Sequence, residues 1–425
     1  MTAYPAVRLE LTPALSWANR LRALLAVLAS MGLAAMWLRV RWQPFGGDLA
    51  WTGMGLGVIA LIAAFSESRN LGFSYMPYGG SDEGIWHDNV GWVIAQELRE
   101  GRIIEAVRGA EDVFFAQIGM RYLRALEHLL FGDTYLGYTL VLAILPAVLF
   151  RLLQCLFPRG WAGAGAVAFL LMPALFPFSF TNYVVLVKQG MIETAAAFLF
   201  LLGLLLILRG FEPWGASSPR PELIAVGGAA LGLSVLVRVN QLVPVGVLVA
   251  GMAFDAWHRA GLRQLQPLAA GLPFVVFPGL HNILFGGQWF LFTSSLGVAM
   301  PISPVAYLGL FADVVTGKWD NPMMGVLSDR LVVMFLGRGA TPGWLQVPVA
   351  VPVVAKSVIL AVCGLGMLDR GSRAPWLPWL AASGLASFGF FFLVSLLTYR
   401  YIIFSWDLCA MIAAAVVFRR ARTTV

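Results

Sequence analysis

An all-α bundle of about eleven membrane-crossing helices is the fold class this sequence predicts. Three observations predict it. The 425 residues are 59% hydrophobic and only 12% charged, with a mean hydropathy of +0.79, whereas a soluble globular chain carries roughly 25% charged residues. Apolar blocks of about 17 to 25 residues, the length of a helix across the hydrocarbon core, recur along the chain. Most Lys and Arg residues fall at the ends of those blocks. An open strand edge in lipid leaves backbone groups unpaired, so helices are the spanning element.

The blocks fall at 21–38, 49–65, 135–153, 160–180, 191–208, 222–238, 241–257, 268–286, 345–368, 376–397 and 401–418. The first lacks a small-residue cleavage site followed by a soluble domain, and is expected as a retained helix, not a signal peptide. Two polar-containing loops, 66–134 and 287–344, interrupt the series. In the first, His87 to Arg99 carries Val90, Val93, Ile94 and Leu98 at helical spacing, and Phe114 to Phe131 interleaves apolar residues with Arg121, Arg124, Glu127 and His128. Both are expected as amphipathic helices along the membrane surface, because the loop has too few residues to bury a core of its own. Residues 1–425 then form a single membrane-embedded domain without an evident internal repeat.

Orientation follows from the basic residues. Placing Arg39/Arg41, Arg151/Arg159, Arg209/Arg220, Arg259/Arg263, Arg370/Arg373 and Arg419/Arg420/Arg422 on the cytoplasmic side makes every alternate connection basic, as the positive-inside rule requires. Both long loops then face outside, with the Lys188 connection, the turn near Arg238 and the Tyr399-Arg400-Tyr401 corner. This topogenic placement accounts for the net charge of +7 without nucleic acid. Cys155, Cys363 and Cys409 are too few and too scattered in apolar surroundings for a disulfide framework or a zinc motif.

One polar stretch stands out, Gly79-Gly80-Ser81-Asp82-Glu83-Gly84-Ile85-Trp86-His87-Asp88. Ionisable groups crowded beside a membrane are costly to keep without a role, so this stretch is the candidate functional site. Adjacent carboxylates push one another's pKa apart and suit a general base. A solvated turn is the bland reading, since Gly-Gly-Ser-Asp is good turn chemistry. His87 and Asp88, beside Asp82 and Glu83, offer oxygen and nitrogen ligands for a possible divalent cation, but spaced partners elsewhere are lacking, and no cofactor is required.

Carboxylates on an outer loop, surface helices beneath it and isolated cations at outer span ends suit sugar transfer from a lipid phosphate. A carboxylate holds the acceptor oxygen as base in an inverting displacement, and Arg or Lys neutralises the leaving phosphate. The layout of an apolar helix, the Ser81-Asp82-Glu83-Gly84 loop and the surface segment Gly119 to Gly132 resembles the GT-C glycosyltransferases. That class includes the protein O-mannosyltransferases, the lipid A aminoarabinose transferases and the arabinofuranosyltransferases. Leu236 to Gln241, His281 to Gly286 and Tyr399-Arg400-Tyr401 are similar to that class too.

The resemblance implies a polyprenyl-phosphate-linked sugar donor and an inverting transfer at the periplasmic, extracytoplasmic face of a bacterial inner (plasma) membrane. The acceptor is an envelope glycan, lipid or protein. The implied base position falls on Asp82, with Glu83 beside it. Here an extra helix precedes the acidic motif and about sixteen residues separate it from the second block, so Asp82, Glu83 and Asp88 all stay open as the base.

Arg121, Lys188, Arg238, Asn240, Tyr399 and Arg400 are expected to contact the lipid phosphate and sugar. The rival reading for Arg121 and Arg124 is snorkelling to headgroups, and for Lys188 and Arg400 interface anchoring among membrane lipids. Arg238 interrupts an apolar run, with Asn240 and Gln241 beside it. Trp86, Trp92, Trp289, Trp319 and Trp344 read as an interfacial belt, and Glu193 as a partner for Lys188. Two other functions compete: a transporter or flippase of a lipid-linked glycan, which needs ionisable residues near the midplane and broken helices, and a non-catalytic scaffold.

Overall fold

The computed structural model describes residues 46–65, 82–112, 118–172, 176–211, 219–259, 261–288, 322–336, 350–368, 376–393 and 399–423, with a few more between 309 and 318. Block 21–38 and Trp289, Trp319 and Trp344 lie outside them. Every described element is helical: α1 Gly46–Phe65, α2 Asp82–Arg99, α3 Ile103–Arg108, α4 Ile118–Phe131, α5 Leu136–Leu156, α6 Arg159–Leu171, α7 Phe180–Lys188, α8 Glu193–Gly210 and α9 Pro221–Val237. After these come α10 Leu242–Arg259, α11 Leu272–Gly286, α12 Pro322–Leu336, α13 Ala350–Gly366, α14 Leu377–Leu393 and α15 Tyr399–Thr423. Short 3-10 stretches, Val239–Gln241 and Leu262–Gly271, join α9 to α10 and α10 to α11.

Five helical segments among the described residues are long and apolar enough to cross a membrane: Leu136–Leu156, Glu193–Gly210, Val239–His258, Leu262–Gly286 and Arg400–Arg420. Four shorter apolar helices join them, Gly47–Ile62, Pro221–Val237, Val353–Gly366 and Leu377–Phe392. Nine expected blocks thus appear as apolar helices, five plus four.

The block at 160–180 does not form one helix. It ends at Leu171 and a new helix starts at Phe180, with Pro173 and Pro177 in the sequence between. Proline removes a donor and pushes its predecessor out of the helical region. The loop 287–344 also holds a helix, α12, whose C-terminal carbonyls at Met334 and Phe335 accept hydrogen bonds from the buried Lys356 of α13, at 3.4 and 2.9 Å. Its Arg330 donates to the end carbonyls of α14 at Phe391 and Phe392. Cations at helix C-termini satisfy the carbonyls that the last turn leaves open.

α1 runs antiparallel to α5, and α8 to α9. Arg151, near the end of α5, pairs with Asp48 at the start of α1, at 2.7 Å. Ser383 of α14 donates to Pro244 O of α10 at 2.8 Å. The closest packing joins α8, α9 and the stretch before α11, where glycines let backbones touch. A Cβ on Gly203 would stand 2.8 Å from Gly227 O, and one on Gly232 only 2.3 Å from Gly271 O. Small residues at such seams permit the dispersion contacts that hold apolar helices together. Gly232→Ala is therefore expected to lower thermal stability in detergent by about 1–3 kcal/mol, because the obstacle is backbone. Gly246→Ala, with nothing within 4 Å of the added atom, is expected to leave the unfolding temperature unchanged or raise it.

Candidate functional site

The stretches singled out in the sequence come together at one end of the bundle. α2 begins at Asp82, with Asp82 and Glu83 in its first turn; their side chains lie outside the described residues, as does that of Tyr399 at the start of α15. The turn is seated firmly all the same. A Cβ on Gly84 would lie 2.2 Å from Gln189 O, in the connection between α7 and α8. A Cβ on Gly119 of α4 would lie 2.5 Å from Val237 N, at the end of α9. His281 Nε2, near the end of α11, lies 2.9 Å from Arg108 O of α3.

At the centre is Glu193, the first residue of α8 and 2% exposed. Its Oε1 lies 3.5 Å from Arg238 Nη2 and 3.8 Å from Arg400 Nε. Arg238 is buried and ends α9 in extended geometry, with its guanidinium 4.7 Å from the Tyr401 ring and 5.4 Å from that of Phe391. Arg400 Nη2 donates to Tyr401 Oη at 2.9 Å. Among the described residues, neither carboxylate oxygen of Glu193, nor Nε or Nη2 of Arg238, makes a hydrogen bond. These charges attract across gaps wider than hydrogen bonds, and buried polar atoms left in that state are costly. Two guanidiniums on one carboxylate leave one positive charge in excess, which suits an anion.

The other expected ligands sit around this centre. Lys188 is the last residue of α7 and half-buried, Asn240 is half-buried in the 3-10 turn, and Gln241 beside it is buried with Oε1 unbonded. Glu193 pairs with Arg238 and Arg400; an ion pair of Glu193 with Lys188 is not found among the described residues. Tyr138 of α5 closes the floor, its hydroxyl donating to Met191 O.

Arg121 and Arg124 point inward, not to headgroups. Arg121 is fully buried, with Nη1 and Nη2 each 3.1 Å from Glu111 Oε2 and its guanidinium 4.7 Å from the Trp86 ring. Arg124 joins Asp88 and Glu127 and lies 3.6 Å from the Tyr135 ring. His128 lies 3.1 Å from Asp88 and 3.2 Å from Asp133. Glycine makes this crossing close, since a Cβ on Gly91 would stand 2.5 Å from that of Arg124. With the small cluster Ile94, Ala95, Ala106 and Ala125, the network gives α2 to α4 an interior of their own, which apolar counting missed because charges fill most of it.

His87 and Asp88 diverge. Burial, with Arg121 and Arg400 adding to it, lowers the His87 pKa to about 3, so its imidazole is neutral. Burial raises the Asp88 pKa, but Arg124 and His128 outweigh it and hold the carboxyl below its usual value. Asp88 is thus engaged by cations and a poor base. No three His, Cys, Asp or Glu side chains converge on a metal position among the described residues.

For His128, burial lowers the pKa while Asp133 and Asp88 raise it, and the carboxylates win, lifting it from 6.5 to about 9. A raised pKa means that the folded state holds the proton more tightly. The stabilisation, at most about 3 kcal/mol, is full below pH 6.5 and lost as pH rises through about 9. Thermal unfolding against pH is expected to show that decline in the native chain, and a flatter profile from pH 6.5 to 9 in His128→Gln.

Compared with family models, curated proteins and solved structures, the chain finds no match.

Proposed function

We propose that this chain is an inverting, GT-C-type glycosyltransferase of an inner membrane. It moves a sugar from a polyprenyl-phosphate donor to an envelope glycan, lipid or protein on the extracytoplasmic side. The observation that supports this reading best is the pair Arg238 and Arg400, held on the buried Glu193 beside the start of α2. Their excess positive charge suits the donor phosphate, whose departure needs neutralisation more than protonation. Asp88 being engaged by Arg124 and His128, the base falls to Asp82, with Glu83 beside it.

In this arrangement the acceptor hydroxyl gives its proton to Asp82 as its oxygen attacks the anomeric carbon, and the bond to the phosphate oxygen breaks on the opposite face. The prenyl tail lies among the apolar helices, and the basic ends at Arg151, Arg209 and Arg220 face the cytoplasm. Neutral His87, beside Arg121 and Arg400, adds no further positive charge.

One observation favours a second reading. The α6–α7 break, together with Asp407 and Lys356 buried within apolar helices, is what a transporter or flippase of a lipid-linked glycan uses.

Purified protein in nanodiscs, incubated with a panel of polyprenyl-phosphate sugars, tests the two. Release of polyprenyl phosphate is expected with one donor, falling about 100- to 10,000-fold in Asp82→Asn and about 100- to 1,000-fold in Arg238→Gln. Chelation by EDTA is expected to leave turnover unchanged. Saturable donor binding without turnover, unaltered by Asp82→Asn, would replace the transferase with the transporter.

A further inference from the structure

A second polar centre lies deeper, between α7 and α15. Asp407 follows Arg400 by seven residues on α15, so it faces the same way about 10 Å further into the bundle. Its Oδ1 accepts the N–H of Phe178 at 2.5 Å, just before α7 restarts the broken helix. Phe178 sits in the left-handed region at φ +65°, a conformation that a bulky residue holds only when its surroundings enforce it. The break closes most of its own polar groups: Ser179 Oγ donates to Met172 O at 2.5 Å, and Asn182 Nδ2 to Phe176 O at 3.4 Å.

Two atoms stay open. Among the described residues Asp407 Oδ2 and Tyr183 Oη close no hydrogen bond of good geometry, although the two side chains act on each other and their residues are only 7% and 1% exposed. Both residues line one small cavity, walled otherwise by apolar side chains that include Phe169, Phe178, Leu201 and Met411. α5, α6 and α8 bring only Leu149, Phe169 and Leu201 to that wall. α7 brings Tyr183, which feels Arg238 towards the α2–α4 end, and α13 brings Lys356 over the ring of neighbouring Trp406, where its ammonium is engaged by Met334 O and Phe335 O. Among the described residues Asp407 has no ion-pair partner. An ionised carboxylate in such a place is neutralised by a cation or by a proton. A metal cation needs several more oxygens than one carboxylate and one phenol supply.

We propose that Asp407 is a proton-binding site, carrying its proton on Oδ2 and directing it to Tyr183 Oη. Loss of the proton leaves an anion whose closest compensation is the positive N-terminal end of α7, drawing that half-helix towards α15. α7 ends at Lys188, and Gln189 beyond it seats Gly84. A proton held deep in the bundle is thereby linked to the placement of the Asp82 turn, whether that turn serves transfer or transport.

Infrared difference spectroscopy of the full chain in nanodiscs at neutral pH tests this. Wild type is expected to show a protonated-carboxyl C=O band that is lost in Asp407→Asn and shifted in Tyr183→Phe. An identical carbonyl region in wild type and Asp407→Asn overturns the proposal. So does a band that vanishes on adding sodium chloride at constant pH, which would make the site a cation site. Should Asp407→Asn fail to fold, Tyr183→Phe decides alone, an unshifted band overturning the proposal.

Discussion

A single buried carboxylate, Glu193, constrains the rest of this end of the molecule. It brings Arg238 from the end of α9 and Arg400 from the start of α15 onto the first turn of α8. Removing one partner from a buried ion pair typically costs about 3–5 kcal/mol, because the other charge is left uncompensated. Yet the three do not close into short hydrogen bonds. Aromatic faces of Tyr401 and Phe391 hold Arg238, so its position is fixed while part of its hydrogen-bonding capacity is kept. That combination suits a site that must accept an anion and release it.

Around this centre, backbone contacts set the placement. Gly84, Gly91 and Gly119 each allow an approach that any side chain would block. They seat α2 and α4 against the α7–α8 connection, each other and the end of α9. The Asp88, Arg124, Glu127, His128 and Asp133 network then fills the space between α2 and α4 with mutually compensating charge. The carboxylates that open α2 stand on a layer fixed by glycine geometry and charge together.

The helical class and nine of the apolar helices were legible in the sequence, because block length and hydropathy report burial in an apolar medium directly. The convergence of the Asp82 turn, the Lys188 connection, Arg238 and Arg400 at one end was also legible, through alternation of basic connections. Other features were not. The α6–α7 break hid inside an apolar block whose two prolines were the readable sign. Glu193 was assigned to Lys188 by proximity in sequence, whereas its partners lie 45 and 207 residues further along. Arg121, expected at the lipid phosphate, and Arg124, read as a snorkelling cation, were misplaced because their acidic partners Glu111, Asp88 and Glu127 are spread over three segments. Asp407 and Lys356 were lone charges in apolar runs, a signal strong enough to have marked both.

The capping of α12 by Lys356 makes one helix end depend on the next helix. α12 has only 15 residues, and its last carbonyls are satisfied from α13, some twenty residues further along the chain. The last turn of a helix leaves such carbonyls without a partner in the helix itself. The end of α12 is therefore completed only by contact with α13, and its Arg330 finds its acceptors only at the end of α14. The C-terminal third of the bundle is thus tied together by cations that reach from one helix to the carbonyl end of another.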